Sequence, residues 1–549
     1  MSCSGAEKLL GRGASLLVAL FMLAGCGGGG DSPLPRGVVS VAVTDAPSAD
    51  FDNVWVTIHA IRFHTTDAAG PDEAGWLTFQ LPAPVTVNLA SLSNGVLSTV
   101  FSGLSLPVGH YQQIRLVLDG AFDPLTASAS ANSLSWNDQV DYTVSSVQHH
   151  APLEIVRSDK GIALHGHFHV TQSTPLRLAV DFNIGDDIVK FMHGTSTAFT
   201  LKPLLTYFDL DNAGAISGQI DTSGLYPANA RGGYNLVIKA EDLSPAGSRH
   251  YVVRATTIDA GGNFRLYPLP IPAGQSARSF DVVMRGRNME TIIVKNVSVT
   301  RSSDGTANAA VLQSTPVAVT AGSEFTANLS PAASPTGAWV NFCQTINGES
   351  VPYEIRYRHL NPFTGTFLED MPLSTGNLHT GLWNGGNSIS FTSAAPVEGA
   401  GNFSAVNSAP LYVSSAMPLM QGSSPVTVNF GALGVNTALV SSDAISGSVT
   451  QGITGKYDNG YLVVSRDGLI TTSVNLATTL AQNGGSGGGY SINALPGGSV
   501  ANPVPGMIYY LYAVVWNTAN PLLSYKVIPV MTLADLRQGS AAAINLTLN

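Results

Sequence analysis

In His165-Gly166-His167-Phe168-His169 every second residue is an imidazole. On a β-strand alternate residues share a face, so the three rings line up together. Imidazole nitrogen suits Zn²⁺, Cu²⁺ and Ni²⁺, and two His two residues apart make a workable metal pair. The first and third lie about 13 Å apart at ~3.3 Å per residue. One Zn²⁺ bound at ~2.0–2.1 Å therefore cannot take all three unless Gly166 bulges the strand. Further ligands are expected from a hairpin partner. Leu153 to Arg157 and Ile162 to Val170 flank Ser158-Asp159-Lys160-Gly161. A type I turn with a Gly bulge pairs Ser158 with Ile162. Pairing Arg157 with Ile162 instead buries Leu153 and Ile155 with Leu164, Phe168 and Val170, and burial of one face sets register. That register places Glu154 opposite His165 and His150 opposite His169. His150, Glu154, His165, His167 and His169 then form one solvent-facing patch. Two readings stand: a polar outer face that uses His, or a weak site for Zn²⁺, Cu²⁺ or Ni²⁺.

Other spacings carry less chemistry. Asp209-Leu210-Asp211-Asn212-Ala213-Gly214 begins like a Ca²⁺ loop, but Ile220 stands where the acidic twelfth ligand is needed, so the segment reads as an interdomain turn. Gly484-Gly485-Ser486-Gly487-Gly488 matches Gly-x-Ser-x-Gly, yet that elbow needs a strand-to-helix turn in an α/β fold, and here the setting is a low-complexity loop. A hydrolase of envelope or extracellular polymer would instead require carboxylates clustered in a deep cleft. Asp45, Asp50 and Asp52 read as turn residues. Trp383, in Gly381-Leu382-Trp383-Asn384-Gly385-Gly386, reads as loop packing, with sugar stacking the alternative. None of these residues requires a cofactor.

The elements that must position these residues are strands. Short runs rich in Val, Ile, Thr, Tyr and Phe recur between Gly, Pro, Asn, Asp and Ser clusters, the pattern of all-β sandwiches. Val39 to Val43 is one such run. Asn53 to Phe63 is another, with Trp55, Thr57, His59, Ile61 and Phe63 on one face. Tyr234 to Ile238, Phe280 to Met284 and Thr291 to Val299 are further examples. Helix is expected only at Val474 to Ala481 and in one turn from Leu533 to Arg537. With 549 residues, 44% of them hydrophobic, the chain fills several cores. A net charge of −10 and 11% charged residues exclude a nucleic-acid binder, which would carry a basic face.

An internal repeat organises the second half. Opening strands share Ala-Ile-Ser-Gly, at Ala215 to Gly218 and Ala444 to Gly447, with a weaker match at Gly337-Ala338-Trp339-Val340. A Gly-x-aromatic element follows at Gly262-Asn263-Phe264, Gly401-Asn402-Phe403 and Gly488-Gly489-Tyr490. Two of these run on to Leu269-Pro270 and Leu495-Pro496. A Gly-Ser strand closes each unit, at Gly322 to Leu329, Gly422 to Phe430 and Gly539 to Leu546. The expected modules are 213–334, 335–440 and 441–549, after a first domain at 38–212.

The N-terminus gives an address. Lys8 and Arg12 precede an apolar run from Ala14 to Ala24, too short to span a bilayer as a mature helix. Leu23-Ala24-Gly25-Cys26 closes it, and Gly27 to Gly30 opens a flexible tether to residue 37 that reaches about 18 Å. The segment 1–25 resembles a bacterial lipoprotein signal peptide. The resemblance implies that Cys26 is acylated and becomes the mature N-terminus, anchoring the protein to a membrane. Gly27 in place of Asp implies the outer membrane of a Gram-negative bacterium. Cys3 then leaves with the signal, and Cys343, in a strand-like setting, is left as a buried small hydrophobe with no intrachain disulfide.

Thr44-Asp45-Ala46-Pro47, Val54 to Ile58, Gly75-Trp76, Val87-Asn88-Leu89, Gly109 to Leu116, Leu178 to Phe182 and Leu201-Lys202-Pro203 follow in order. On these residues the first domain resembles the lipoprotein family called domain of unknown function 4382, which implies a fold and a compartment but no catalytic residue. The Gly-x-aromatic to Leu-Pro elements resemble carboxypeptidase-regulatory or transthyretin-like sandwiches, normally spacers or adhesive units. The expectation is a tandem antiparallel β-sandwich lipoprotein with a structural, adhesive or ligand-binding role at the envelope. Its partners would be the membrane and a protein or polysaccharide ligand; the rival is an envelope metal binder.

Overall fold

The computed structural model describes residues 34–549 apart from short stretches, of which 221–235, 302–309, 315–323, 330–338 and 429–440 are the longest. Cys26 and the tether up to residue 33 lie outside the described residues. Strands dominate, and none of the described sheets closes into a barrel. The fold is all-β, as the strand-and-turn pattern predicts.

The first domain is built from β1 (Arg36–Ala46), β2 (Asn53–His64), β3 (Leu77–Asn88), β4 (Ser98–Pro107), β5 (Gly109–Leu118), β6 (Gln139–Val144), β7 (Val147–Ile155), β8 (Ile162–Val170), β9 (Leu176–Asn183), β10 (Ile188–His193), β11 (Ser196–Leu201) and β12 (Thr206–Asp209). β1 begins inside the expected tether, since Arg36 and Gly37 already pair with Pro107 and Leu106. One sheet runs β12-β9-β1-β4, and the other runs β10-β11-β7-β6-β2-β5-β8 with β3 also on β2. Val41 and Val43 from the first sheet meet Val54, Ile58, Phe63, Ile114 and Phe168 from the second in one apolar core.

A β-bulge corrects the expected face of β2. Its register shifts between Ile58 and Ala60 against both β3 and β5. One extra residue reverses the alternation. Val54, Val56 and Ile58 therefore point into the core before it, and Ile61 and Phe63 after it, while Trp55 and His59 lie outside.

Three units of one topology follow. In the first, Ala213–Ile220 is flanked by antiparallel Asn263–Pro270 and parallel Ala310–Ser314. In the third, Ser441–Gln451 lies between antiparallel Gly487–Gly497 and parallel Leu546–Leu548. Each of these small sheets packs on a longer one, giving separate cores around Ile216, Phe264, Val282 and Val294, and around Ile445, Tyr490, Val464 and Leu511. In the middle unit the corresponding strand is Glu324–Leu329, between Phe367–Pro372 and Val426–Val428.

This corrects two readings of the repeat. Glu324–Leu329, expected to close the preceding unit, instead lies between Phe367–Pro372 and Val426–Val428. Phe403–Ala409 and Trp339–Gln344 sit in the larger sheet, so neither matches its supposed counterparts in the outer modules. Helix forms from Ala477 to Ala481, before Gln482, Asn483 and Gly484 leave helical geometry, while Val474 and Asn475 end the strand Leu469–Asn475 and do not join it. The turn expected at Leu533 to Arg537 instead holds a short strand, Ala534–Asp535, against Ile508 and Tyr509.

The modules also share a sheet. Leu378–Leu382 of the middle module adds in parallel to Ile292–Thr300 of the module before it, and Phe391–Ala394 extends that sheet further.

Candidate functional site

β8 alternates as expected: Leu164, Phe168 and Val170 are buried, and His165, His167 and His169 are exposed. The register of β8 against β5 shifts at Gly166, so that Gly166 and His167 lie opposite Gln112 alone. A Cβ on Gly166 would collide with the ring of Tyr207, whose hydroxyl accepts a hydrogen bond from the His167 N–H at 3.2 Å.

The partner strand differs from expectation. β8 pairs with β5, which puts His169 opposite His110 and His165 opposite Gln113. β7 pairs instead with β6 through the two-residue turn Ser145-Ser146, both residues at positive φ, and with β11 on its other side. A two-residue turn of this hand matches strand twist and takes β7 before β8 is reached. Ser-Ser lacks the Asn-Gly signature that would have betrayed it.

The expected patch therefore separates. His150 lies opposite Asp141 and places Nδ1 2.7 Å from its Oδ1. Glu154 is buried opposite Thr200, near Tyr512 of the last module, and its Oε1 has no hydrogen-bond partner. Burial pushes its carboxyl up to about 8, so it is neutral at pH 7 and unsuited to hold a cation. His165 pairs with Asp67 at 2.7 Å. The rings of His110 and His169 stack with centroids 4.2 Å apart and planes 2° from parallel. Among the described residues no group of three or more His, Cys, Asp or Glu is placed to hold a metal ion.

Asp141 is a polar node to which no sequence motif points. Its carboxylate accepts hydrogen bonds from Asn53 Nδ2 (3.0 Å), Trp55 Nε1 (3.1 Å), Gln139 Nε2 (2.7 Å) and His150. Burial raises this carboxyl, but the hydrogen bonds outweigh it and leave the carboxyl below its ordinary value. The node ties β2 to β6 in the interior of the sheet.

A further polar construction lies where the first domain meets the module opened by Ala213–Ile220, the second module along the chain. Arg254 is buried, and its guanidinium pairs with Asp181. It also donates to Thr44 Oγ1 at 2.8 Å, to the Asp45 carbonyl at 3.0 Å and to the Tyr267 carbonyl at 3.2 Å. Asp45 is thus no turn residue. It is fully buried in β1, and its Oδ1 accepts the Ile184 N–H at 3.1 Å. Burial first, then the neighbouring Asp181 charge, push its carboxyl well above the ordinary value. Burial likewise raises Asp181, and Arg254 pulls it back part of the way. Beside this junction Asn94 accepts from the Arg265 N–H at 2.6 Å and donates its own N–H to Thr256 Oγ1 at 3.0 Å. A cleft of about 350 Å³ opens there, lined by Ser40, Leu178, Arg177, Arg265 and Tyr267 among others.

The remaining motifs are structural. Burial pushes the Cys343 thiol up, away from the reactive thiolate. Asp209 accepts from the Asp211 N–H and from Asn212 Nδ2, closing the turn into the second module. Ser486 sits between a helix and a following strand, the reverse of a nucleophile elbow. Trp383 is half-buried against the core of the second module.

Residues 36–203 match the family model described as Domain of unknown function (DUF4382). No curated protein matches the chain. Among solved structures, the Bacillus anthracis TIE protein is matched at 9% identity and a TM-score of 0.15, over 94% of this chain and 74% of that one. A variant of BcpA, the major pilin subunit of Bacillus cereus, is matched at 9% identity and a TM-score of 0.10, over 72% of this chain and 99% of that one. At these scores neither likeness informs fold or role.

Proposed function

We propose that this chain is a non-catalytic scaffold of the bacterial envelope, acylated at Cys26 and holding linked β-sandwiches against the outer membrane to present a surface to a protein or polysaccharide. The observation that carries the scaffold reading is the way the modules interlock. The Thr44-Asp45 motif of the first domain closes around Arg254 of the second module, and the middle module donates Leu378–Leu382 to its neighbour's sheet. Joints of this kind resist the bending that free linkers permit. The anchor is supported by Leu23-Ala24-Gly25-Cys26 and by the Gly-rich tether behind it.

The experiment is intact-mass analysis of the membrane fraction, beside Cys26→Ala. The expected result is a mature chain beginning at an acylated Cys26, with the variant released or uncleaved. A soluble, unacylated mature protein overturns the anchor. Thermal unfolding addresses the scaffold separately: modules that melt independently, unaffected by Arg254→Ala, overturn it.

A further inference from the structure

We infer that His110 and His169 form a two-imidazole chelate for a divalent transition metal, Cu²⁺ above all. This site lies outside the scaffold role. It shares only His169 with the patch expected from sequence.

The pair is made by register. β5 and β8 run antiparallel, and His110 and His169 are direct cross-strand partners. Both are exposed on the face opposite the core. Their rings are already face to face, 4.2 Å between centroids and 2° between planes. Two nitrogens bound to one ion at ~2.0–2.1 Å stand roughly 3 Å apart. The ring planes, now parallel, must turn to roughly a right angle for both nitrogen lone pairs to meet one ion, a rotation about the side-chain torsions of two exposed residues. Neither ring has a hydrogen-bond partner among the described residues. Chelation therefore breaks no existing bond to either ring.

The neighbours refine the assignment. His167 lies at the register shift of β8, opposite Gln112, and is not part of the site. His165 is not part of the site, since it is committed to Asp67. Two imidazoles completed by water suit the tetragonal preference of Cu²⁺ or Ni²⁺ better than a closed tetrahedral zinc site. Ligation uses the neutral ring, so binding weakens as the medium is acidified. No electron transfer is involved: the metal displaces water.

The test is titration of the full mature chain with CuCl₂, followed by calorimetry and by the nitrogen hyperfine pattern in electron paramagnetic resonance. One equivalent is expected to bind with at least two imidazole nitrogens coupled to copper. His110→Ala and His169→Ala are each expected to weaken binding roughly ten-fold or more, because the second imidazole binds intramolecularly. His165→Ala should leave the affinity within about two-fold. Circular dichroism of each variant reports folding, and His110→Gln and His169→Gln serve as second variants of similar bulk. Absence of copper binding by the parent chain overturns the proposal. So does unchanged affinity in the folded His110 and His169 variants, or a loss confined to His165→Ala.

Discussion

Glu154 and Arg254 sit at two inter-module contacts and respond oppositely to loss of their polar group. Glu154 is buried as a neutral acid, its carboxyl raised from the ordinary value to about 8 by desolvation. Between the ordinary carboxyl range and pH 8 the folded chain holds a proton that the unfolded chain has released, so stability falls as pH rises through that window. Glu154→Gln keeps the shape without the ionisation. The melting temperature of the parent is expected to drop from pH 5 to pH 9, and that of the variant to drop less. An equal drop in both would show that Glu154 ionises in the folded state without cost. Arg254→Ala removes the cation from beside two buried carboxyls. Breaking a buried pair from one side costs about 3–5 kcal/mol. Urea unfolding of the variant is expected to lose that much, with the first domain or the second module separating first.

At the scale of elements, the shared Ala-Ile-Ser-Gly of the outer modules has a physical explanation. Gly218 pairs across the sheet with Phe264, and Gly447 with Tyr490. The Gly-x-aromatic element thus lies opposite the glycine of the opening strand, and an aromatic beside a strand glycine supplies the missing side-chain contact. On the other side, a Cβ on Gly218 would collide with the Leu312 carbonyl, and one on Gly447 with the Ile544 carbonyl. These glycines let the closing strand approach. Gly447→Val is expected to destabilise its module by about 1–3 kcal/mol or more, read by thermal unfolding; a neutral effect would remove this account. The donated strand gives a second prediction. Gly381→Val collides with Ile389 and should free Leu378–Leu382. Amide exchange at His379 and Trp383, which donate to the carbonyls of Thr291 and Lys295, should then accelerate.

At the scale of the whole molecule, strand content and the opening strands of the outer modules are legible in the sequence, because alternation and turn chemistry are local. The Gly-x-aromatic signal is legible for the same reason, and its cause becomes visible only when Gly218 meets Phe264. What escapes depends on pairing at a distance. β7 and β8 are neighbours in sequence but not in the sheet, and nothing near His165 announces His110 across the strand. The bulge after Ile58 is one inserted residue that reverses a whole face. Arg254 reads as an ordinary surface charge until the Thr44-Asp45 segment is found around it. The middle module defeats the repeat pattern because its opening strand lacks the Ala-Ile-Ser-Gly signature.

The parallel addition of Leu378–Leu382 to Ile292–Thr300 has a bearing on biogenesis. Synthesis from the N-terminus delivers Ile292–Thr300 roughly eighty residues before its partner arrives, so the second sandwich waits with one border naked. Nascent chains stalled before Leu378 should pair with one another along that border, visible as sedimentation that grows with concentration, and chains released after Ala394 should not.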